Sequence, residues 1–189
     1  MKLKTFTVNF LTLVTLLGFT SCSTLVGNVK PVDQKSRSYL VTELQGDPWV
    51  KLDPASLVSE TKVDTKSDTY SSEITDLTFQ SNKTAAIISL NSACRKGRKE
   101  EANLKLVTHE LLLGITDVTL RADKETKIEN TPALITTIQG NLGGQTTKIR
   151  TVVLSRGECT YDLMYVSSPD RFTIHEEDFN RFVSSLKLR

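Results

Sequence analysis

Hydrophobic and polar residues alternate along much of the chain after residue 38, and this period-two pattern predicts β-strands. The segments between them are short and rich in Gly, Asn, Ser and Pro, which are turn-forming residues. The predicted strands cover residues 39–44, 49–52, 74–79, 85–90, 118–122, 133–139, 147–154 and 159–166, with a polar surface excursion over 53–73. The last four strands follow one another closely, which predicts an antiparallel meander.

Two stretches have a helical period instead. Between Glu100 and Leu113, apolar residues recur every three or four positions, and Gly114 supplies a stop, so an amphipathic helix of about four turns is expected. Its apolar stripe consists of Leu104, Val107, Leu111 and Leu112.

A second amphipathic helix closes the chain. Thr173 and Glu176 have the spacing of a capping box, and an apolar stripe follows at Phe179, Phe182, Val183 and Leu186. Because such a stripe must be buried, we expect both helices to pack on the sheet. The predicted fold class is therefore α+β, an antiparallel sheet with packed amphipathic helices, in a single domain over residues 39–189.

The first 21 residues predict an export signal. A basic start is followed by an apolar run that is too short for a stable membrane span and then by small residues. The ending Phe19-Thr20-Ser21-Cys22 resembles the lipobox of bacterial lipoproteins, although that family usually has Leu where Phe19 stands. The resemblance implies that Cys22 is lipidated and becomes the mature N-terminus, and Ser23 favours the outer over the inner membrane. The alternative is a plain signal peptide that leaves Cys22 as a free thiol.

The mature chain is close to neutral, because removing Lys2 and Lys4 leaves 22 basic and 22 acidic residues. This balance argues against nucleic-acid binding, which needs a broad basic surface. Residues 22–38 are mostly small and polar, so we expect a lipidated N-terminus followed by a flexible tether.

If Cys22 carries lipid, only Cys94 and Cys159 remain, and an oxidising envelope permits a disulfide between them. Two unrelated buried thiols are the alternative.

No catalytic or metal-binding motif is found. His109-Glu110 resembles the start of a zinc-protease helix, but the second histidine is replaced by Leu113. His175 is expected to open the last helix as a structural residue, and the glycines from Gly140 to Gly144 are expected to form a turn. Two cysteines without a nearby histidine do not complete a zinc site.

Carboxylates such as Asp76, Asp117 and Asp162 have no spacing that assigns acid and base roles. We therefore expect no enzyme activity, no metal and no cofactor, while a hidden hydrolase site stays the least favoured alternative.

One basic run, formed by Arg95, Lys96, Arg98 and Lys99, is a candidate contact for a partner or for anionic headgroups. Glu100 and Glu101 follow it and reduce its field, so a solvated loop is the alternative.

Several local features together resemble PsbP-like α/β/α sandwich domains over residues 37–189. They are the early Trp49, the helix ending at Gly114, the hairpin into Cys159–Tyr165 and the final stripe from Phe179 to Leu186. The resemblance implies a non-catalytic accessory or assembly role. The expected function is an envelope lipoprotein that faces the periplasm and binds an envelope protein; a carrier of a lipid or other apolar small molecule is the alternative.

Overall fold

The structure is a computed structural model that describes residues 38–53, 76–95, 97 and 101–189. The predicted signal peptide and nearly all of the predicted tether and surface excursion lie outside these residues. Along the described chain the elements are β1 (Tyr39–Leu40), β2 (Trp49–Lys51), β3 (Leu77–Ser81), β4 (Ile87–Cys94), α1 (Leu104–Leu111), β5 (Thr116–Ile128), β6 (Thr131–Leu142), β7 (Gln145–Arg156), β8 (Cys159–Ser167), a 3-10 helix (Pro169–Ile174), α2 (Glu176–Ser184) and β9 (Lys187–Leu188).

Seven strands form one antiparallel sheet in the order β2-β3-β4-β8-β7-β6-β5. The predicted meander of β5 to β8 is confirmed, and its strands are longer than expected. Two of its hairpins turn on pairs of residues that both have positive φ, Glu129–Asn130 and Gly143–Gly144. Such pairs give a two-residue turn whose twist matches that of the flanking strands. The chain therefore reverses at once, and the strands pair over nearly their whole length.

The two faces of the sheet are covered unequally. On one face, α2 and the 3-10 helix cover the main hydrophobic core. Its largest fully buried side chains are Tyr39, Phe79, Tyr161, Tyr165, Phe172, Phe179 and Phe182. On the other face, α1 contacts β6 and β7, around a small cluster of Leu112, Ile138 and Ile149. Most of the buried apolar area, and so most of the hydrophobic stabilisation, lies on the α2 face.

The expected α+β class is wrong, because strands hold 52% of the described residues and helices only 18%. The protein is mostly antiparallel β. One cause is that α1 has 8 residues instead of about four turns. The side chain of Asn103 accepts hydrogen bonds from the backbone N–H groups of Lys105 and Leu106, which starts the helix late. Gly114, with a φ of +90°, follows its end as expected.

The second cause is β5, which continues to Ile128 rather than ending near Ala122. Its side chains are exposed on both faces as far as Glu125, since neither helix extends over this edge of the sheet. A strand without a buried face has no reason to alternate between apolar and polar residues. The polar stretch Asp123–Lys127 therefore carried no strand pattern in the sequence.

Helix α2 docks with the predicted stripe, and Phe179, Phe182 and Leu186 are buried. The predicted capping box is wrong, because Thr173 lies in the 3-10 helix and the N-cap residue is His175, which makes no side-chain capping bond. Glu176 instead forms an ion pair with Arg150 of β7 at 2.6 Å. The Glu176 carboxylate therefore attaches α2 to the sheet through this ion pair.

Strand β1 does not join the large sheet but pairs with β9. The carbonyl of Ser38 also accepts the N–H of Arg189, so both ends of the described domain lie side by side. We call this end of the sheet, which contains Ser38, Cys94 and Cys159, the entry end. The opposite end, which contains Ser81 and the hairpin at Leu142, is the distal end.

Candidate functional site

A disulfide closes the entry end. Cys94 and Cys159 face each other in the β4–β8 ladder and are bonded, so the predicted pairing is confirmed and the two cysteines are not unrelated thiols. The Oγ atom of Ser38 lies 3.8 Å from the Sγ atom of Cys94 and accepts a 2.7 Å hydrogen bond from the hydroxyl of Tyr161. The chain that comes from Cys22 therefore enters the domain directly against the bridge. Cys22 itself lies outside the described residues.

The basic run begins at the same end. Arg95 is exposed, and its backbone N–H donates to the carbonyl oxygen of Glu158, while the N–H of Gly97 donates to the Glu158 carboxylate at 2.6 Å. Glu158 thus holds the start of the run against the β7–β8 hairpin. Lys96, Arg98 and Lys99 lie outside the described residues, so their contact with a partner or with headgroups stays a prediction.

A buried polar cluster, absent from the sequence-based prediction, joins β2, β3 and α2 on the α2 face. Ser81 Oγ lies 3.1 Å from His175 Nε2, and His175 Nδ1 lies 3.0 Å from Asp178 Oδ2. The indole N–H of Trp49 donates to the same carboxylate oxygen at 3.1 Å. Ser81 and His175 are buried, at 1% and 5% exposure. The order of groups, hydroxyl to imidazole to carboxylate, is that of a serine hydrolase.

The hydrogen bonds around Ser81 give this cluster a structural role. Its Oγ atom accepts the backbone N–H groups of Lys83 and Thr84, at 3.3 and 3.2 Å. Both lone pairs of the hydroxyl are then in use, so its proton is donated to His175 Nε2, and Nδ1–H donates to Asp178. A buried hydroxyl with both lone pairs occupied is a poor nucleophile. The cluster instead ties α2 to the distal ends of β2 and β3.

Tyr165 contacts the 3-10 helix that leads into this cluster. Burial raises the pKa of its phenol above the ordinary value, and hydrogen bonds offset part of that rise. The protonated hydroxyl donates to the carbonyl oxygen of Phe172 at 2.6 Å. Tyr165 therefore fixes the 3-10 helix to β8 by a neutral hydrogen bond.

A groove of about 620 Å³ runs between α2 and strands β5 to β7, and we call it the α2 groove. Its apolar lining consists of Ala122, Ile128, Ile135, Val152, Phe179, Val183 and Leu186. These positions lie in the half of the sheet nearer the entry end, because β5 ends and β6 begins there. The volume is within the range of small-molecule sites.

Cationic side chains border the α2 groove. Arg150 is held by Glu176 and donates from Nε to Thr137 at 3.0 Å, and Glu129 is paired with Lys187. Lys124 and Lys127, both from the exposed strand β5, form no ion pair with the part of the chain that the structure describes. The groove therefore combines an apolar floor with two cations that lack a protein counter-ion there.

The remaining candidate residues do not come together. Asp76 accepts from Tyr39 and Ser92, Asp162 accepts from Asn91, and Asp117 lies at the exposed start of β5. His109 is exposed on α1, and Gly143 and Gly144 form the expected turn.

Among the described residues, no group of three or more His, Cys, Asp or Glu is arranged to hold a metal ion. No helix in that part of the chain is long and apolar enough to cross a bilayer.

Comparisons with known proteins assign no family. No protein-family model matches the chain, and no curated protein matches it. Among solved structures, it is similar to PA94 of Pseudomonas aeruginosa, a protein of unknown function, with 15% identity and a TM-score of 0.46 over 58% of this chain and 78% of that one. It is also similar to cyanobacterial PsbP from Synechocystis sp. PCC 6803, with 12% identity and a TM-score of 0.49 over 92% of this chain and 99% of that one. Both TM-scores are below 0.5, so neither similarity assigns a fold family or a function to this chain.

Proposed function

We propose that the protein is a lipid-anchored accessory protein of the bacterial cell envelope that binds another envelope protein and catalyses no reaction. Lipidated Cys22 holds it on the membrane, with the outer membrane favoured, and the domain faces the periplasm. Two features support a non-catalytic role: the Ser81 hydroxyl has both lone pairs occupied, and the carboxylates named above contact separate partners.

The observation that carries this proposal is that the N-terminal chain and the exposed apolar side chains lie at opposite ends of the sheet. The chain arrives at the entry end, where Ser38 contacts the disulfide and Arg95 is exposed. Four of the eight exposed large hydrophobic side chains of the described region lie at a distal corner, where β5 starts and the β6–β7 hairpin turns. They are Leu113, Val118, Leu120 and Leu142, at 40–65% exposure. An anchored domain with this layout directs an apolar surface away from the bilayer, toward a protein partner.

Lipidation is tested by metabolic labelling of the full chain with an alkyne-tagged fatty acid in a bacterial host. The wild-type protein should carry the label and stay in the membrane pellet at high salt, because acyl chains in the bilayer bind through the hydrophobic effect. Cys22→Ala should lose the label, whereas the Cys94→Ala/Cys159→Ala variant should keep it. An unlabelled wild-type protein, or a labelled Cys22→Ala variant, would refute the anchor.

Partner binding is tested by placing a photo-crosslinking amino acid at Leu113 or Leu142 of the full chain in living cells. Both positions should give the same single adduct, because they belong to one corner of the domain. A probe at exposed Lys51, on the opposite edge of the sheet, is the matched control and should give none. A protein that stays a solitary monomer from every position would argue against an accessory role.

The α2 groove favours a second candidate function, that of a carrier for an apolar small molecule. An apolar cavity bordered by a few charged groups is the usual form of a ligand site. Recovery of the full chain from its membrane with a bound small molecule, identified by native mass spectrometry, would support this function. Spectra that show only the mass of the protein without a ligand would count against this function.

A further inference from the structure

The floor of the α2 groove is apolar surface that the fold leaves incompletely covered. Ile128, Ile135 and Val183 are half-buried and border the groove above the fully buried Val152 and Phe179. Helix α2 covers the sheet as far as β6 and β7, but β5 extends beyond it. An apolar chain laid along this floor would bury these side chains and gain hydrophobic stabilisation from each of them.

The rim of the groove determines which head group fits. Arg150 already has a counter-ion in Glu176, and Glu129 is neutralised by Lys187. Lys124 and Lys127 have no ion-pair partner within the described chain. Lys124 lies on the groove face of β5, and Lys127, near the end of the strand, borders both the groove and the cavity beside α1. The long aliphatic stem of Lys124 can lie on the apolar floor while its ammonium group stays at the edge, and Lys127 borders the same edge where β5 ends. An anionic group placed between them would supply the missing negative charge.

The position of the groove fits a ligand that comes from a bilayer. It lies in the half of the sheet nearer the entry end, where the chain from Cys22 arrives at Ser38. With the anchor in the membrane, this end is the one closer to the lipid surface. This step rests on the anchor and on the carrier function given above as the second candidate.

We propose that the α2 groove binds a single acyl chain that carries an anionic head group. The acyl chain lies along Ile135, Val183 and Phe179, and the head group lies between Lys124 and Lys127. Fatty acids and lysophospholipids with an acidic head group share this chemistry. The ligand is held without a covalent bond.

The test uses the full chain and a 16-carbon fatty acid with a diazirine at the end of its acyl chain. After illumination, the labelled peptides are mapped by mass spectrometry, which separates label in the groove from label elsewhere in the chain. Label is expected in the peptides that contain Phe179–Leu186 or Ile135. Labelling confined to peptides outside the groove overturns the proposal.

Charge reversal then tests the head-group site. Lys124→Glu/Lys127→Glu should lower labelling of the groove peptides about tenfold, since each lysine contributes a factor of a few to binding of an anionic group. The control Lys51→Glu/Lys83→Glu makes the same charge change at the opposite edge, where it also breaks the ion pairs with Glu43 and Asp47, and should label like the wild type. Thermal unfolding of each variant verifies that it is folded. An equal loss in both variants, or in neither, overturns the proposal.

A cationic probe of equal chain length separates the head-group assignment from carriage in general. An alkyl trimethylammonium diazirine should label the wild-type groove weakly and the Lys124→Glu/Lys127→Glu groove strongly. If both probes label the wild-type groove equally, the acidic preference is refuted while a carrier function stands. If neither labels it, the ligand assignment and the carrier function both fail.

Discussion

The entry end and the distal end of the sheet are held together by different means. At the entry end, a covalent bond joins β4 to β8, and Ser38 packs against it. At the distal end, the hydrogen bonds of His175 join α2 to the strands, and β5 begins with a bend that lies directly over Gly140. The stability of the entry end therefore depends on redox conditions, whereas that of the distal end depends on burial and close packing.

The largest expected effect is at the entry end. Reducing the Cys94–Cys159 disulfide should lower the free energy of unfolding by about 4 kcal/mol, since the bridge closes a loop of 65 residues in the unfolded chain. Urea unfolding of the full chain with and without reductant measures this difference. The Cys94→Ala/Cys159→Ala variant should be insensitive to reductant, and an equal response in that variant would show that the effect has another source.

At the distal end, His175→Ala should lower the free energy of unfolding by about 3 kcal/mol, because it removes a buried ring and leaves Ser81 and Asp178 without their shared partner. His109→Ala, on the exposed surface of α1, is the control and should change it by less than about 0.5 kcal/mol. Hydrogen exchange should increase mainly in α2 and β3. Exchange that increases equally at the entry end would break the distinction between the two ends.

Gly140→Ala should lower the free energy of unfolding by about 2 kcal/mol through overpacking. A Cβ atom at this position would lie 2.6 Å from the carbonyl oxygen of Thr116 and 2.7 Å from the Cγ2 atom of Ile115. Gly143→Ala is the comparison, since its φ is positive but nothing lies within 4 Å of its Cβ position. It should cost about 1 kcal/mol. Equal losses in denaturant unfolding would mean that the bend of β5 over Gly140 is readily displaced.

The smallest effect concerns β5, which runs between the two ends. The hydroxyl of Thr136 donates to Asp123 at 2.6 Å. This hydrogen bond is the main reason why the pKa of the Asp123 carboxyl lies below its usual 3.8. A lowered folded-state pKa contributes stability above about pH 4, which is lost as the pH falls through the folded value. Thr136→Val should move the Asp123 pKa upward in a carbon-13 NMR titration. Asp117 is the internal reference, and an unchanged Asp123 titration would contradict the assignment.

The sequence predicted the features that depend on buried faces or on simple counting. The meander from β5 to β8 and the docking stripe of α2 follow from hydrophobic periodicity, and the pairing of Cys94 with Cys159 follows from the number of cysteines that remain. The same reasoning failed where a residue acts through a distant partner. Glu176 has the spacing of a capping box, yet Arg150 competes for it from a neighbouring strand.

The candidate sites were harder to predict than the fold. Ser81 and His175 are 94 positions apart, and no local pattern joins them. The polar half of β5 has no buried face, so the sequence contained no signal that Lys124 and Lys127 would border an apolar groove. A serine that ends a strand and a histidine that opens a helix are consistent with such a cluster, but only the packing of α2 brings them together.

The β1–β9 pair has a mechanical consequence. Any pull transmitted along the chain from its N-terminal side reaches the domain at Ser38, and the next residue, Tyr39, is 2% exposed. Its ring packs edge-on against Tyr161, and its hydroxyl donates to Asp76 at 3.1 Å. The ladder beside it has only two residue pairs. A force on this segment therefore has to extract the Tyr39 side chain from the core, and break the short β1–β9 ladder, before it acts on the large sheet.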